Sequence, residues 1–438
     1  MRRRSFIAGL PVLTGTAAFR SNETDAVTLT PEMKTGDTVT EPRREIPVIA
    51  ETDVLVIGGG PAGVAAAVSA GRTGASVVLV ERYNHLGGLW TGGLVLPLLS
   101  THALDKDGTF RRVIFGIGGE MGDRLTGMGM AVHEVNPVID PEAGKYLLDV
   151  MIRDAGVRML YHCWMSSVVA DNGVIRAVIV ESKSGRVAIR PRVVIDCTGD
   201  GDVFNLAGED HEVMNYMIGL VHRLGNIDRI DKTKPGYKEM AIGNETPIPS
   251  VNWVNMRGEE DQNGIDLNTI SELQQKYRIL IWEQVEKIRA TPGHEQVFLL
   301  DTASQIGVRM SRILHGAYTL TLEDSRTYRA FDDVIGISGA WTRVQYGGRA
   351  YYPKDRPLWQ IPYRSLLPVK TRNLLVAGRC FSFEQKLVED TRIIGTCLVT
   401  GHAAGAAAAV AVKSNAAVQD VDVRAVQKLL RAQGANLG

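Results

Sequence analysis

The order of apolar and polar stretches after residue 50 predicts a strand-helix-strand unit. Residues 53–57 form a short apolar run with a polar lead-in, which is typical of a buried parallel strand. Residues 64–72 are rich in Ala and predict a helix, and residues 76–80 predict a second strand that ends at Glu81. The two strands are therefore expected to lie parallel, with the helix as their crossover.

Later stretches repeat this pattern. Residues 192–200 predict a strand that runs into a Thr-Gly turn, and residues 373–379 predict another strand that ends in a glycine. Residues 398–412, rich in Gly and Ala, predict a helix, and residues 269–288 carry apolar positions at helical spacing. Strands alternating with helices indicate an α/β fold with a parallel sheet.

The turn between the first strand and helix has the spacing of a dinucleotide fingerprint. Gly58, Gly60 and Gly63 form Gly-x-Gly-x-x-Gly. The first glycine permits a tight turn, the second lets the backbone approach a pyrophosphate, and the third allows close packing of helix on strand. The helix N-terminus then offers N–H groups to the phosphates, and Glu81 is placed to accept hydrogen bonds from ribose hydroxyls. This ordered set predicts a dinucleotide site.

Composition narrows the class of protein. The 438 residues correspond to roughly two to three domains. Lys plus Arg and Asp plus Glu each number 49, so the formal net charge is zero and no basic stripe predicts nucleic acid as a partner. The four cysteines lie far apart, without the spacing of a metal site, a haem motif or an iron–sulfur cluster. We therefore expect no metal, buried thiols, and electrons that leave through a separate partner.

The N-terminus has the pattern of an export signal. Arg2, Arg3 and Arg4 precede Ser5 and Phe6, and an apolar run continues to about residue 19. This pattern resembles a twin-arginine signal and predicts a periplasmic or otherwise exported protein. The run is shorter than the roughly 20 residues that span a bilayer, so we expect no membrane span in the mature chain. A disordered basic start is the alternative, and cleavage near residue 18 is left open.

Together these segments resemble the FAD-dependent oxidoreductase family with a glutathione-reductase-type FAD domain, distantly related to fumarate reductase-like flavoproteins. The resemblance spans residues 51–438 and also includes residues 86–93, 195–202, 307–312, 361–366 and 401–405. No second Gly-x-Gly-x-x-Gly follows a strand, which favours FAD over a separate nicotinamide domain. The resemblance implies a Rossmann-type FAD-binding domain, a three-layer ββα arrangement with a parallel sheet, into which a substrate or cap region is inserted.

The resemblance also implies which residues contact FAD. Gly87 and Gly88 would pass beside the flavin, the backbone of Val168 would pair with the adenine, and the helix starting near Gly395 and Thr396 would point its N-terminus at the flavin. The full predicted set is Gly58, Gly60, Pro61, Ala62, Gly63, Glu81, Arg82, Gly87, Gly88, Val168, Thr198, Gly199, Asp200, Gly378, Arg379, Gly395 and Thr396.

The domain layout follows from the same segments. We predict a signal over residues 1–20, a linker over 21–50, a first part of the FAD-binding domain over 51–206, a cap region over 207–335, a second part over 336–412 and a C-terminal helical tail over 413–438.

Candidate catalytic groups are those that the layout brings to the flavin. Arg309 and Arg312 could hold a carboxylate or hydroxyl oxygen, and Glu389 and Arg392 precede the helix aimed at the flavin. His222 would border the cleft. Arg309 and Arg312 could instead form ion pairs that fix the cap, and Glu389 and Arg392 could belong to a solvated charged loop. His222 could be a structural histidine. His402 is expected to hydrogen-bond only backbone, and a covalent link from His85 to the flavin is a side hypothesis.

Three functions are left open. The first is an exported FAD-dependent dehydrogenase or oxidase that takes hydride from a small polar organic substrate and passes electrons to a separate acceptor. The second is a fumarate reductase-like flavoprotein that reduces an activated double bond with electrons from an outside donor. The third is a flavin-binding protein without turnover. Substrate, acceptor and oligomeric state are not encoded in any motif of the chain.

Overall fold

The computed structural model describes residues 38–104, 110–256, 258–338, 344–346, 349–351 and 359–438. The predicted signal and the first part of the predicted linker lie outside the described residues. Regular structure begins at Val48, three residues before the predicted start of the folded part. Contacts group Arg44–Gly438 into one unit.

The strands in the described residues are, in chain order, β1 Val48–Ile57, β2 Val77–Val80, β3 His102–Leu104, β4 Phe110–Arg112, β5 Ala131–Val132, β6 Val138–Ile139, β7 Arg158–Leu160, β8 Trp164–Asp171, β9 Val174–Ser182, β10 Gly185–Asp196, β11 His211–Val213, β12 Ile218–Gly219, β13 His222–Gly225, β14 Asn244–Glu245, β15 Asn252–Val254, β16 Phe298–Thr302, β17 Gly307–Val308, β18 Arg312–Leu314, β19 Val334–Ser338, β20 Val344–Tyr346, β21 Arg349–Tyr351, β22 Trp359–Pro362 and β23 Leu374–Val376.

The α-helices in the same residues are α1 Pro61–Arg72, α2 Gly116–Gly127, α3 Pro141–Asp154, α4 Asp202–Leu206, α5 Leu267–Arg289, α6 Leu322–Thr327, α7 Val388–Thr391, α8 Ile394–Ser414 and α9 Val423–Ala432.

The central sheet has the predicted parallel arrangement. Its strand order is β7-β2-β1-β10-β9-β8, and β23 also pairs with β10. β1 pairs parallel with β2 and β10, and β10 pairs parallel with β23, whereas β9 pairs antiparallel with β8 and with the first half of β10. Residues 54–57 are buried on both faces, which explains their continuous apolar run. The prediction of an α/β fold with a Rossmann-type parallel sheet is confirmed.

Glycines bring the last long helix back against the first one. A Cβ at Gly401 would lie 2.1 Å from the carbonyl oxygen of Ala62, and a Cβ at Gly405 would lie 2.2 Å from that of Ala66. Only glycine therefore lets α8 pack this closely on α1. α8 is also long and apolar enough to cross a bilayer, but 83% of its most apolar window is buried inside the protein, as in the core helix of a folded domain.

A second hydrophobic core lies in the inserted region. It joins β13, β15 and β16 to the buried side of α5, where Leu273, Tyr277, Ile281 and Val285 recur at helical spacing. Residues from Met310 onward pack instead into the main core around the central sheet. Residues 310–335 of the predicted cap region thus share the main core, and β19 and α9 pack against α8.

Candidate active site

One large cavity runs along the carboxyl ends of β1, β2 and β10 and continues beneath the cap. Its volume is about 1280 Å³, whereas pockets for a single drug-sized ligand measure about 300–1,000 Å³. The lining includes residues far apart in the sequence, such as Gly58 and Cys397, together with cap residues such as Trp253. The cavity thus has room for a cofactor and a substrate.

The glycine turn after β1 forms the phosphate side of this cavity. Gly58 has φ +99°, and a Cβ there would lie 2.4 Å from the carbonyl oxygen of Cys197. A Cβ at Gly63 would lie 1.7 Å from the carbonyl oxygen of Gly58, whereas a Cβ at Gly60 would meet no described atom within 4 Å and would project into the cavity. α1 then begins at Pro61 without a capping side chain from the described residues. An open glycine beside an uncapped helix N-terminus suits a pyrophosphate.

Glu81 and Arg82 line the far end of the cavity. The carboxylate of Glu81 is 5% exposed and accepts hydrogen bonds from the N–H groups of Gly59 at 2.7 Å and Tyr83 at 2.8 Å. The Arg82 guanidinium lies 5.0 Å from the ring centroids of both Tyr83 and Trp164. The two hydrogen bonds from Gly59 and Tyr83 hold the Glu81 carboxylate in place at the end of β2, where ribose hydroxyls were predicted to bind.

Val168, the predicted adenine contact, is not among the described residues that line the cavity. Among the described residues, the start of β8 and the residue before it, residues 163–165, line the cavity, and Val168 lies farther along β8 where the strand leaves it. The contact of β8 with an adenine stays a prediction.

Asp196 organises the turn after β10. This fully buried carboxylate accepts hydrogen bonds from the Thr198 N–H at 3.0 Å, the Thr198 hydroxyl at 2.7 Å and the N–H groups of Val203 and Phe204. Burial raises its pKa to about 6. Sequence reasoning did not assign Asp196 a role, although an acid at the end of an apolar strand is a signal for one.

Asp200 and Arg379 form a buried ion pair on the same side. Arg379 Nη2 donates to Asp200 at 2.7 Å, Ser311 donates at 2.7 Å, and Arg82 lies 3.9 Å away. Burial opposes ionisation of Asp200, but attraction to Arg379 and Arg82 outweighs it and lowers the pKa of the carboxyl. The predicted Thr198, Gly199, Gly378 and Arg379 all line the cavity here.

Arg312 lines the cavity and pairs with the turn after β10. Its Nη1 donates to the backbone oxygen of Asp200 at 2.9 Å and to the carboxylate of Asp202 at 3.1 Å. Arg312 is thus engaged with Asp200 and Asp202, and its predicted contact with a substrate stays a prediction. Arg312 lies on β18, which packs in the main core, whereas Arg309 lies just before that strand.

The segments predicted to face the flavin converge beyond the glycine turn. Gly88 lines the cavity, and a Cβ there would lie 3.1 Å from Gly60 Cα. α8 begins at Ile394 without a capping side chain from the described residues, and Ile393, Ile394 and Cys397 line the cavity. Gly87, Gly395 and Thr396 are buried and are not among the described residues that line the cavity.

A cluster of ionisable side chains lies where the cap meets the start of α8. Glu389 accepts hydrogen bonds from the Tyr216 hydroxyl and from Arg392 Nη2, the latter at 2.5 Å. Arg309 Nη2 donates to Asn255 Oδ1 at 3.4 Å, and all five residues line the cavity. The structure thus brings the predicted Arg309, Glu389 and Arg392 to one place.

The cluster has a defined protonation pattern. Burial opposes ionisation of Glu389. Its pKa is nevertheless lowered by attraction to Arg392, by the hydrogen bonds from Tyr216 and Arg392, and by attraction to Arg309. Burial and the hydrogen bond to Glu389 raise the pKa of Tyr216 to about 12. At neutral pH the cluster therefore presents a neutral phenol, a carboxylate and two guanidinium groups. Sequence reasoning missed Tyr216, because nothing local connects positions 216 and 389.

His222 lies outside the cluster, which corrects its assignment as a catalytic candidate. Trp253 lines the cavity and lies opposite Arg223 in the pair of β13 and β15, whereas His222 lies opposite Val254 on the other face. Its side chain is buried, and its ring nitrogens have no hydrogen-bond partner in the part of the chain that the structure describes. Burial lowers its pKa to about 4.

His402 and His85, the other two histidines considered in the sequence analysis, are also not among the described residues that line the cavity. His402 Nε2 hydrogen-bonds the Gln433 side chain at 2.7 Å, rather than backbone as expected. His85 Nδ1 pairs with Asn84 Oδ1 at 2.8 Å, and His85 Nε2 pairs with Gln305 Nε2 at 3.1 Å. Both ring nitrogens of His85 are therefore engaged with protein groups.

The fold and this cavity define a dinucleotide-binding flavoprotein. The open Gly60, the oriented Glu81 and two uncapped helix N-termini facing one cavity suit FAD, which the glycine turn, Glu81 and the start of α8 would hold. A sequence model of the family described as FAD dependent oxidoreductase matches residues 53–217 and 222–430. The chain belongs to this family and is an FAD-dependent redox enzyme.

The individual proteins that the chain resembles match only part of its length. The chain is 30% identical over 158 residues to a thiamine thiazole synthase of Methanothermobacter thermautotrophicus, which covers 34% of this chain and 56% of that protein. It is 37% identical over 78 residues to a soluble pyridine nucleotide transhydrogenase of Mycobacterium bovis, covering 17% of each. The chain thus spans about half the length of the first relative and less than a fifth of the second.

Among solved structures, a geranylgeranyl bacteriochlorophyll reductase-like protein from Thermoplasma acidophilum aligns over 87% of this chain and 83% of its own, with a TM-score of 0.46 and 14% identity. The p-nitrophenol 4-monooxygenase of Pseudomonas putida aligns over the same shares with a TM-score of 0.45 and 10% identity.

Proposed function

We propose that this FAD-dependent oxidoreductase oxidises a small polar organic substrate at the cluster of Tyr216, Glu389, Arg309 and Arg392, and that a separate acceptor removes the electrons. The observation that carries the proposal is the carboxylate of Glu389, held between a phenol and a guanidinium in the cavity beside the start of α8. Bound FAD supplies the hydride acceptor.

In such an oxidation, different residues of the cluster accept the proton and bind the substrate. The substrate loses a hydride from carbon and a proton from the attached oxygen or nitrogen, and that proton goes to Glu389, directly or through the Tyr216 hydroxyl. Arg392 holds the carboxylate of Glu389 in place and, with Arg309, attracts an oxygen of the substrate. The uncapped N-terminus of α8 adds partial positive charge to this part of the cavity. The product is a carbonyl or an imine.

The test is anaerobic bleaching of the FAD-loaded protein by a panel of alcohols, amines and hydroxy acids. Glu389→Gln should lower the bleaching rate with the active substrate by about 10²–10⁴-fold, because it removes the base. FAD content should stay unchanged. Glu283→Gln, on the exposed side of α5, is the matched control and should bleach at the wild-type rate. Bleaching of Glu389→Gln at the wild-type rate would refute the assignment.

The same pair of arginines also suits reduction of an unsaturated acid, the fumarate reductase-like direction. Arg309 and Arg392 both line the cavity near Glu389, so they could hold substrate carboxylates. Reoxidation of the dithionite-reduced protein by fumarate, measured as recovery of flavin absorbance without oxygen, would select this direction.

We also propose that the protein is exported by the twin-arginine route, which the residues from Arg2 to Phe6 support. Replacing Arg3 and Arg4 together by lysine should keep the protein in the cytoplasm, as measured by fractionation. Arg2→Lys is the matched control, since it leaves the arginine pair intact. Equal export of the double variant would refute the proposal.

A further inference from the structure

Positive charge exceeds negative charge in the ionisable cluster. Arg309 and Arg392 are two guanidinium groups beside the one carboxylate of Glu389. Tyr216 is neutral at neutral pH, because its pKa is about 12. The start of α8, which has no capping side chain from the described residues, adds partial positive charge. Such an excess attracts an anion into the cavity, so the cluster favours a substrate with one negative charge.

One nitrogen of the Arg392 guanidinium is open to the cavity. Nη2 donates to Glu389 Oε2 at 2.5 Å, and Nε is buried without a partner among the described residues. Nη1 donates to none of the described residues and is not among the fully buried atoms, so it faces the cavity that Arg392 lines. Guanidinium groups match carboxylates in geometry. A substrate carboxylate can therefore bind at Nη1 while Glu389 keeps Nη2.

Binding at Nη1 places the substrate carboxylate next to Glu389. Nη1 and Nη2 are bonded to the same carbon atom of Arg392, so the two carboxylates would lie side by side on one guanidinium. Arg309, whose attraction also lowers the pKa of Glu389, supplies a second positive charge beside them. An oxygen on the carbon attached to the substrate carboxylate would then be the nearest group that can give its proton to Glu389. The geometry thus favours oxidation at C2 of a carboxylic acid.

Apolar side chains adjoin the cluster on the cap side. Met217 follows Tyr216 in the chain and lines the cavity. Val308 precedes Arg309 and lines it too. Consecutive Cα atoms lie about 3.8 Å apart, so the apolar lining begins beside the charged groups, and an apolar substituent on the substrate would be buried there. The other apolar residues of this part of the lining are Val221, Met256 and Ile306.

We propose that the substrate is a 2-hydroxy acid with an apolar side chain, which the enzyme oxidises to the 2-oxo acid. Its carboxylate binds Arg392 Nη1 and Arg309, and its side chain packs on Met217 and the apolar residues near it. The hydroxyl proton goes to Glu389 and the hydride of C2 goes to FAD, so that the C2–O single bond becomes a double bond. A separate acceptor then takes both electrons. The inference rests on the proposed function, because it names the substrate class of the same site.

The cluster also distinguishes hydroxy acids from amino acids. A 2-hydroxy acid is a monoanion at neutral pH, whereas a 2-amino acid carries an ammonium group as well and has no net charge. That ammonium group must lose a proton before its carbon can give up hydride, and the Glu389 carboxylate stabilises the protonated form. The hydroxy acid is therefore expected to be the better substrate.

The first test is anaerobic bleaching of the FAD-loaded protein at one low substrate concentration. The four probes are 2-hydroxy-4-methylpentanoate, its 3-hydroxy isomer, lactate and leucine. The first acid should bleach the flavin at least about tenfold faster than lactate, which lacks most of the apolar side chain. It should also be at least about tenfold faster than the 3-hydroxy isomer, whose reacting carbon is misplaced, and than leucine, whose amine is protonated.

The second test measures binding without turnover. The ligands are 4-methylpentanoate and its uncharged analogue 4-methylpentanamide, which have no hydroxyl group, and calorimetry gives their affinities for the FAD-loaded protein. The acid should bind at least about tenfold more tightly than the amide. Arg392→Met should remove this preference and keep the affinity for the amide, which a general loss of structure would not do.

The apolar lining is tested by the selectivity of bleaching. Met217→Ala should reduce the preference for 2-hydroxy-4-methylpentanoate over lactate at least about threefold, because it shortens a side chain of the lining. Met128→Ala, at a site 40% exposed just after α2, is the matched control and should leave that preference unchanged.

Bleaching by lactate, the 3-hydroxy isomer or leucine as fast as by 2-hydroxy-4-methylpentanoate would overturn the inference, as would no bleaching by that acid. Equal affinities of the wild type for 4-methylpentanoate and its amide would overturn it too. Failure of the proposed function is distinguishable, since Glu389→Gln would then bleach at the wild-type rate with whichever substrate is active. If Glu389→Gln is slow but the active substrate is not a 2-hydroxy acid, only the inference fails.

Discussion

Gly60 offers a test of the cofactor site that does not depend on knowing the substrate. Its backbone has φ −68° and ψ −177°, a conformation that alanine adopts freely. A Cβ there would meet no described protein atom within 4 Å and would project into the cavity. Gly60→Ala should therefore leave the protein intact and obstruct only the pyrophosphate.

The magnitudes follow from these two facts. Alanine restricts the unfolded chain and stabilises by about 0.4–1 kcal/mol, but it caps a helix less well than glycine and loses a comparable amount. The free energy of unfolding of the apoprotein should change by less than about 1 kcal/mol. If the methyl group displaces one backbone hydrogen bond to a phosphate, binding loses about 1.5–3 kcal/mol, which raises the Kd of FAD about 10- to 150-fold.

The assay combines urea unfolding of the apoprotein with an FAD titration followed by flavin fluorescence. Gly127→Ala is the matched control, because Gly127 lies at the exposed end of α2 and a Cβ there also meets no described atom within 4 Å. It should leave the Kd unchanged. If Gly60→Ala binds FAD as tightly as the wild type, the pyrophosphate does not pass beside Gly60 and the placement of the cofactor is wrong.

Three further results are expected. His222→Leu should stabilise the protein by about 2 kcal/mol more at pH 5 than at pH 8, as measured by urea unfolding. The pKa of His222 is about 4 in the folded protein and about 6.5 in the unfolded chain, so the wild type loses stability as the pH falls below about 6.5. Equal effects at both pH values would contradict this. Acid precipitation should release FAD into the supernatant, because both nitrogens of His85 pair with protein groups, and colour in the pellet would show a covalent link. Arg379→Met should cost about 3–5 kcal/mol at pH 7 by leaving Asp200 with fewer partners. That loss should shrink in acid as Asp200 takes up a proton, whereas Arg372→Met, in an exposed pair, should cost less than about 1 kcal/mol.

Local chemistry explains what was predictable from the chain. The turn at Gly58, Gly60 and Gly63, the strand before it and the acid at Glu81 lie within one strand-helix-strand unit, so their spacing alone predicts their geometry. α5 was also predictable, because its apolar positions recur at helical spacing along the chain.

The candidate active site depended on contacts between distant segments. Tyr216 meets Glu389 only because the cap folds over the start of α8, and Arg312 turns to Asp200 and Asp202 because β18 packs in the main core. His222 faces away from the cavity because the register of β13 with β15 sets which side chains share a face.

The sequence by itself therefore determined the cofactor-binding unit and the class of fold. Only the tertiary structure decided which charged groups meet and which face of each cap strand lines the cavity. The physical reason is range. A turn or helix is stabilised by residues a few positions apart, whereas an ion pair or a strand register forms between segments whose separation in sequence says nothing about their distance in space.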